Sequence, residues 1–457
     1  MKAAALSLAM AVLLAGCAAP DPPRPVASRV VAPSEWRTSL TATGNVSRDW
    51  WNGLGDPVLG DLVEAALGNN PDVAIAAARV QEARASERLA RAQLFPTLDL
   101  GAGVTQSRSI SAFGTSSETT AAQPLFQAAY EVDLFGRIAN QVEAARRATE
   151  ASEAARDAAA LAVASATASG YVTLLGLDAR RAVVQATIAS RAEALRLARS
   201  RSEAGYTSDF ELRQAQAEYE ATAQLLPQVE LAQRRQENAL SLLIGQSPRA
   251  IARGAALDRL RPLPIPAGLP SDLLRRRPDL AQAERTLAAS DSSLAAARAQ
   301  YLPSVRLTGS AGLTLSSALG DPVSIWSLGA SILAPLFEGG RLRANVEGAA
   351  ARRDQAAFAY QRAALTAFRE VEDALAAVDR LAVQRVRLEA QRVALAEALR
   401  HATNRYRAGY ATYLEQLDAQ RALLNSELGL VQLRTDQVNA LIALYQAMGG
   451  GWDLGQP

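Results

Sequence analysis

The chain has 457 residues, 49% of them hydrophobic but only 5% aromatic, and a formal net charge of +2. Length alone would suit two or three globular domains, yet so few aromatics in an Ala-rich, charge-balanced sequence point to long helices instead of large globular cores. The balance lacks the basic face that a nucleic-acid partner needs, and after the N-terminus no stretch is expected to reach the roughly 20 apolar residues of a membrane-spanning helix.

Residues 1–16 read as a signal peptide. Lys2 supplies the positive charge, residues 3–14 the apolar stretch, and Leu14-Ala15-Gly16 the small-residue cleavage region. Cys17 follows, the one cysteine of the chain, so no internal disulfide is available. Leu14-Ala15-Gly16-Cys17 resembles the bacterial lipobox, in which the cysteine is lipidated and becomes the mature N-terminus. Ala18 stands where Asp would retain a lipoprotein at the inner membrane, so the resemblance implies the outer membrane. Acyl chains contribute roughly 0.8 kcal/mol per buried methylene, enough for several together to anchor a protein.

Residues 17–55 form an N-terminal extended segment, with Pro20, Pro22, Pro23, Pro25 and Pro33. The rest is written twice. Asn70-Pro71-Asp72 returns as Arg277-Pro278-Asp279, and Phe95-Pro96 as Leu302-Pro303, both at an offset of 207 (278 − 71 and 303 − 96). Ala204-Gly205-Tyr206 returns as Ala408-Gly409-Tyr410 at an offset of 204 (409 − 205). A self-match at this period marks duplication of a whole structural unit. The first repeat is assigned to 56–250, a Pro-rich linker to 251–270, the second repeat to 271–448 and a tail to 449–457.

In the first repeat a helix is expected over about 56–67. Asn70 has the form of an N-cap, with Pro71 in the first helical position, opening a helix that stops before Pro96. The period then changes to two. Leu98, Leu100, Ala102 and Val104 alternate with Asp99, Gly101, Gly103 and Thr105; Ala128, Tyr130 and Val132 alternate with Gln127, Ala129 and Glu131. This predicts a β-hairpin at about 97–135. Its counterpart at about 304–334 carries Val305, Leu307, Gly309, Ala311 and Leu313, then Trp326, Leu328, Ala330 and Ile332. Each strand nears the roughly 9–11 residues that cross a bilayer when tilted. Four strands cannot close a barrel, and open edges are not tolerated in lipid, so membrane-spanning strands would have to be pooled among several chains.

After each hairpin a proline-free helix is expected, over about 139–204 and 341–408, each roughly 100 Å long. Each turns at Gly205 or Gly409 and returns over about 209–244 or 413–447. Pro227 should kink the first return. In the second repeat Ala367, Ala374, Leu381, Leu388, Leu395 and Ala402 recur every seven residues, as do Leu417, Leu424, Val431, Val438 and Tyr445. Such heptads argue coiled-coil packing.

The chain offers little chemistry. It has no His/Cys cluster with metal-ligand spacing, no phosphate-binding glycine loop and no nucleophile elbow. His401, the one histidine, falls in a heptad region. No enzyme activity and no cofactor are expected. The helix-turn-helix tips are more pointed. Arg405-Tyr406-Arg407-Ala408-Gly409-Tyr410 leads into Leu414-Glu415-Gln416-Leu417-Asp418. In a cyclic oligomer these side chains would form rings, as at channel constrictions; the lesser alternative is an ordinary capping salt bridge.

Together these features resemble the TolC-like outer-membrane factor family, in its lipoprotein branch that serves RND-type efflux pumps. The carrying residues are Leu14-Ala15-Gly16-Cys17, Trp50-Trp51 with Asp56-Pro57-Val58-Leu59, the paired Pro-Asp helix starts, and Arg405 to Gly409 followed by Leu414 and Leu417-Asp418-Ala419-Gln420. The resemblance implies an α+β membrane fold: a homotrimer in which four strands per chain make one 12-stranded outer-membrane barrel, continued by a periplasmic helical barrel. It implies a passive conduit fed by a periplasmic adaptor protein and an inner-membrane RND-type transporter. It implies a periplasmic gate at Arg405, Tyr406, Leu414 and Asp418, with Glu415 beside it, and adaptor contact at the tips formed by Gly205, Tyr206, Gly409 and Tyr410. Two other readings stand beside it, a duct for type I protein secretion and a pore-less lipid-anchored scaffold.

Overall fold

The computed structural model describes residues 22–38, 41, 44, 46–110 and 112–452. The signal peptide, Cys17 and residues 453–457 of the tail lie outside the described residues. The helices are α1 (Pro57–Asn69), α2 (Pro71–Ala92), α3 (Arg137–Glu203), α4 (Asp209–Ala223), α5 (Leu225–Leu243), α6 (Pro270–Arg276), α7 (Pro278–Ala299), α8 (Arg341–Arg407) and α9 (Tyr413–Ala447). The strands are β1 (Thr97–Gly101), β2 (Val104–Ile110), β3 (Ser116–Ala122), β4 (Leu125–Val132), β5 (Ser304–Ser316) and β6 (Val323–Leu333).

Local chemistry sets the boundaries. Asp56 accepts from the Val58 amide to cap α1, and Asn70 Oδ1 accepts from the Asp72 amide at 2.8 Å to cap α2. Arg277, at the matching place in the second repeat, cannot cap; instead it is buried against Asp279 and Glu370, each 2.7 Å away. α3 and α8 each run 67 residues without interruption. The return of the first repeat breaks at Gln224, which separates α4 from α5. The break lies three residues before Pro227 because the proline ring crowds the carbonyl four residues earlier, on Ala223, and offers it no N–H.

Two compact units form, and neither follows one repeat. Among the described residues, one combines residues 22–29 with Ala78–Glu153 and Gln282–Arg362; the other combines Val30–Ala77 with Ala154–Ala281 and residues 363–452. The first holds the sheet. β1–β2 and β3–β4 are two long ribbons, each interrupted once, at 102–103 and at 123–124. Pro124 accounts for its break by donating no ladder bond. Gly312 lies close beneath it, since a Cβ there would stand 2.3 Å from the Pro124 carbonyl oxygen. The antiparallel order is first ribbon, second ribbon, β5, β6, with β1 and β6 at the edges.

The second unit holds the largest core. Trp50 and Trp51 pack edge to face at 5.6 Å, and Trp50 meets Tyr445 at 5.5 Å. Beneath them Asp56 is buried, accepting from the Tyr171 hydroxyl and the Ala255 amide, each at 2.8 Å. α3 departs from the sequence expectation here. Its residues 158–177 carry no charge, and the helix is long and apolar enough by composition to cross a membrane. In the fold this stretch is core: Val163, Ala164, Ala168, Tyr171, Val172, Leu174 and Leu175 are buried. Small residues let neighbours approach, as at Gly176, whose missing Cβ would sit 2.3 Å from Thr435 Oγ1. The apolar composition serves helix packing on several sides.

Candidate functional site

Two places carry functional character, one in each unit. In the sheet, the register aligns Leu98 with Ala128, Leu100 with Phe126, Ala128 with Gly309, Tyr130 with Leu307, Ala311 with Trp326 and Gly309 with Leu328. Side chains alternate along each strand, so these residues with Val132, Val305, Ala330 and Ile332 fall on one face across all four ribbons. Leu98, Leu100, Phe126, Trp326, Leu328 and Ile332 are each more than half exposed. The opposite face presents Asp99, Gln127, Glu131, Arg306, Thr308, Ser310 and Ser327. Glu131 stands across from Arg306 and is held by Arg137 at 2.8 Å. Exposed hydrophobics this dense and continuous mark a surface that some other phase or chain covers.

The second place is the pair of helical tips. Both turns end in the same motif. The Gly205 amide donates to the Ser202 carbonyl and the Tyr206 amide to the Arg201 carbonyl; the Gly409 amide donates to Tyr406 and the Tyr410 amide to Arg405. These are Schellman turns, which need a left-handed residue at the glycine. Gly205 and Gly409 sit at φ +75° and +79°. Tyr206 and Tyr410 project outward, 86% and 80% exposed.

The residues expected at the gate divide into two groups. Arg405, in the last turn of α8, lies 3.3 Å from Glu415 and donates to the Tyr410 carbonyl at 3.4 Å. Its carboxylate partner is therefore Glu415 and not Asp418, which is exposed and in no ion pair among the described residues. Leu414 is half exposed in the first turn of α9. Tyr406 points the other way, into a small core with Ala198, Ala215, Tyr413 and Leu417. Its hydroxyl donates to Glu211 of α4, its ring lies 5.7 Å from Tyr413, and the Arg201 guanidinium sits 4.7 Å above it. Burial, reinforced by the Glu211 carboxylate, pushes the Tyr406 phenol up to about 12. Arg405 and Glu415 both belong to the second-repeat helix pair, whereas Tyr406 reaches across to the first, and Arg201 of the first pair donates to the Arg407 carbonyl at 3.3 Å.

From sequence, Arg201 and Glu211 stand only as the first-repeat tip's counterparts of the gate residues, with Arg201→Ser expected to do much less than the gate substitutions, and a second cluster farther along the same helices was passed over. There Glu218 of α4 lies between Arg191 of α3 and Arg421 of α9, at 3.1 and 2.6 Å. The available signal was periodic: Glu211 and Glu218 are seven apart, hence on one helical face. Among the described residues no group of three or more His, Cys, Asp or Glu could hold a metal ion.

An exposed apolar β-face joined to long paired helices defines a class of outer-membrane conduit. The family model for outer membrane efflux proteins matches residues 62–246 and 269–450, and the chain belongs to that family, whose members are efflux ducts of Gram-negative outer membranes and not enzymes. Among its relatives is the pyoverdine export outer membrane protein OpmQ of Pseudomonas aeruginosa, 34% identical over 98% of this chain and 97% of the relative. The solvent efflux pump outer membrane protein SrpC of Pseudomonas putida is 36% identical over 88% of this chain and 87% of its own length. Among solved structures, the outer-membrane channel OprN aligns with a TM-score of 0.85 at 29% identity, covering 95% of this chain and 99% of that one. The open state of the Neisseria gonorrhoeae MtrE outer membrane channel aligns with a TM-score of 0.82 at 29% identity, covering 94% and 98%.

Proposed function

We propose that the chain is the outer-membrane duct of a tripartite efflux pump, a passive gated conduit that passes small solutes from a periplasmic adaptor and an inner-membrane RND-type transporter to the exterior. The carrying observation is the sheet: an apolar face open to its surroundings, with unpaired edges at β1 and β6. Lipid satisfies the face, and only further strands satisfy the edges. Three chains pooling four ribbons each close a 12-stranded barrel with a polar lumen. A pore-less scaffold has no use for such a sheet. The relatives' names speak of pyoverdine, solvents and toluene, which favours small solutes over proteins, while the transporter makes the selection.

Arg405, Leu414, Glu415 and Asp418 then face the constriction, and Asp418, exposed and in no ion pair among the described residues, is placed to meet a neighbouring protomer. The outward Tyr206 and Tyr410 suit adaptor contact. Cys17 carries the lipid, so Cys17→Ser abolishes fatty-acid labelling; labelling unchanged by mass spectrometry would refute that assignment. The decisive experiment is single-channel recording of the purified protein in a planar bilayer, with native mass spectrometry in mild detergent. The expected result is a trimer of low resting conductance, raised by Arg405→Ser combined with Asp418→Ala. A stable monomer without conductance sinks the conduit reading.

A further inference from the structure

Glu218 is shared by two arginines in unlike surroundings. Arg191 Nη1 lies 3.1 Å from Oε1, whereas Arg421 donates to Oε2 through Nε at 2.9 Å and Nη2 at 2.6 Å. The Arg191 side chain is 1% exposed, and its guanidinium nitrogens make no hydrogen bond of good angle; the Arg421 side chain is 53% exposed. Burial works against the charge on Arg191, while Glu218 and the neighbouring Tyr413 hydroxyl support it. Arg191 and Glu218 belong to the first-repeat helices α3 and α4. Arg421 and Tyr413 belong to α9 of the second.

We infer that Arg191 and Glu218 form a preassembled socket in the first-repeat helix pair, that Arg421 docks into it to hold the second pair closed, and that Arg191 is the positioning residue that makes this latch reversible. The inference rests on the gated-conduit reading. Opening carries Arg421 into water, which its exposed side chain tolerates at little cost. Glu218 stays behind with Arg191, so neither state leaves a buried carboxylate alone, the situation that makes broken buried pairs expensive. In the closed state Arg191 also competes for Glu218 and weakens its hold on Arg421. The two states thus differ by one exchanged ion pair, a gap small enough for partner binding to bias.

The two arginines therefore act on opening in opposite directions, which the arginines of a merely structural ion pair do not. Each is replaced by Met, of similar length and apolar, in the full-length protein in planar bilayers. Arg421→Met should raise the open fraction several-fold. Arg191→Met should lower it, because Glu218 then serves Arg421 alone and opening strands the carboxylate. Arg191→Lys, which keeps the charge, should stay near the parent and controls for misfolding. Hydrogen exchange in the first turns of α9 supplies a second readout, faster in Arg421→Met and slower in Arg191→Met. Shifts of the same sign, or none in either variant, overturn the latch. A parent that never conducts overturns the conduit reading instead, and the exchange rates still decide the latch.

Discussion

Ser327 and Leu328 are neighbours in β6 and stand on opposite faces of the sheet. Ser327 is within 2.9 Å of the Ser310 hydroxyl, while Leu328 is 82% exposed on the apolar face. Leu328→Arg should therefore destabilise the membrane-inserted assembly by roughly 2–4 kcal/mol if it lies near the bilayer midplane, and Ser327→Arg much less, as measured by reversible unfolding from lipid. Tyr406 gives a pH signature. Its phenol holds its proton up to about 12 when folded and about 10 when unfolded, so between those values the unfolded chain has lost a proton that the folded chain keeps. Stability must fall as pH rises through this window. Tyr406→Phe should remove part of that slope in thermal melts recorded from pH 9 to 12; an unchanged slope would show that the hydroxyl is not held as described. Single residues of this kind were partly legible. Strict alternation assigned Leu100 and Leu328 to one face before any contact was known. The partner of Arg405 was not, because a long guanidinium beside a turn reaches several carboxylates, and only the turn geometry chooses Glu415 over Asp418.

Helices and turns were legible wherever backbone rules act alone. The prolines at 71 and 278, the glycines at 205 and 409, and the proline-free runs between them mark the ends of α2, α7, α3 and α8 to within a few residues. The Pro227 break shows the limit of such reading: the ring acts on a carbonyl four residues earlier, so the chain yields at Gln224. The tip turns carry a direct expectation. At φ +79° a Cβ meets the following carbonyl, so Gly409→Ala should cost about 1–2 kcal/mol. The cost should appear as faster hydrogen exchange confined to the ends of α8 and α9. The charge-free stretch at 158–177 was missed because Ser, Thr and Gly interrupt it. Its role emerges only when neighbouring helices are seen to close over Tyr171 and Leu174.

Across the whole molecule the repeats are visible in sequence, whereas the compact units are not. A unit built from both repeats depends on pairings between them, such as Leu125 with Gly312, 187 positions apart (312 − 125). No local pattern announces such a contact. The first repeat alone, residues 17–250, should accordingly fail to fold and should recover native circular dichroism only with residues 251–457 supplied in the same refolding mixture; an independently folded first half would contradict the interleaved units. The consequence is one of time. High contact order makes folding slow, and at roughly 5–20 residues per second the ribosome needs about 10–40 s to supply the partner of Leu125. For that interval Leu98, Leu100 and Phe126 have no β5 to pair beside and stay on an unfolded chain, their apolar side chains exposed to water. Survival of the unassembled chain in that window is therefore as much a requirement as the stability of the finished channel.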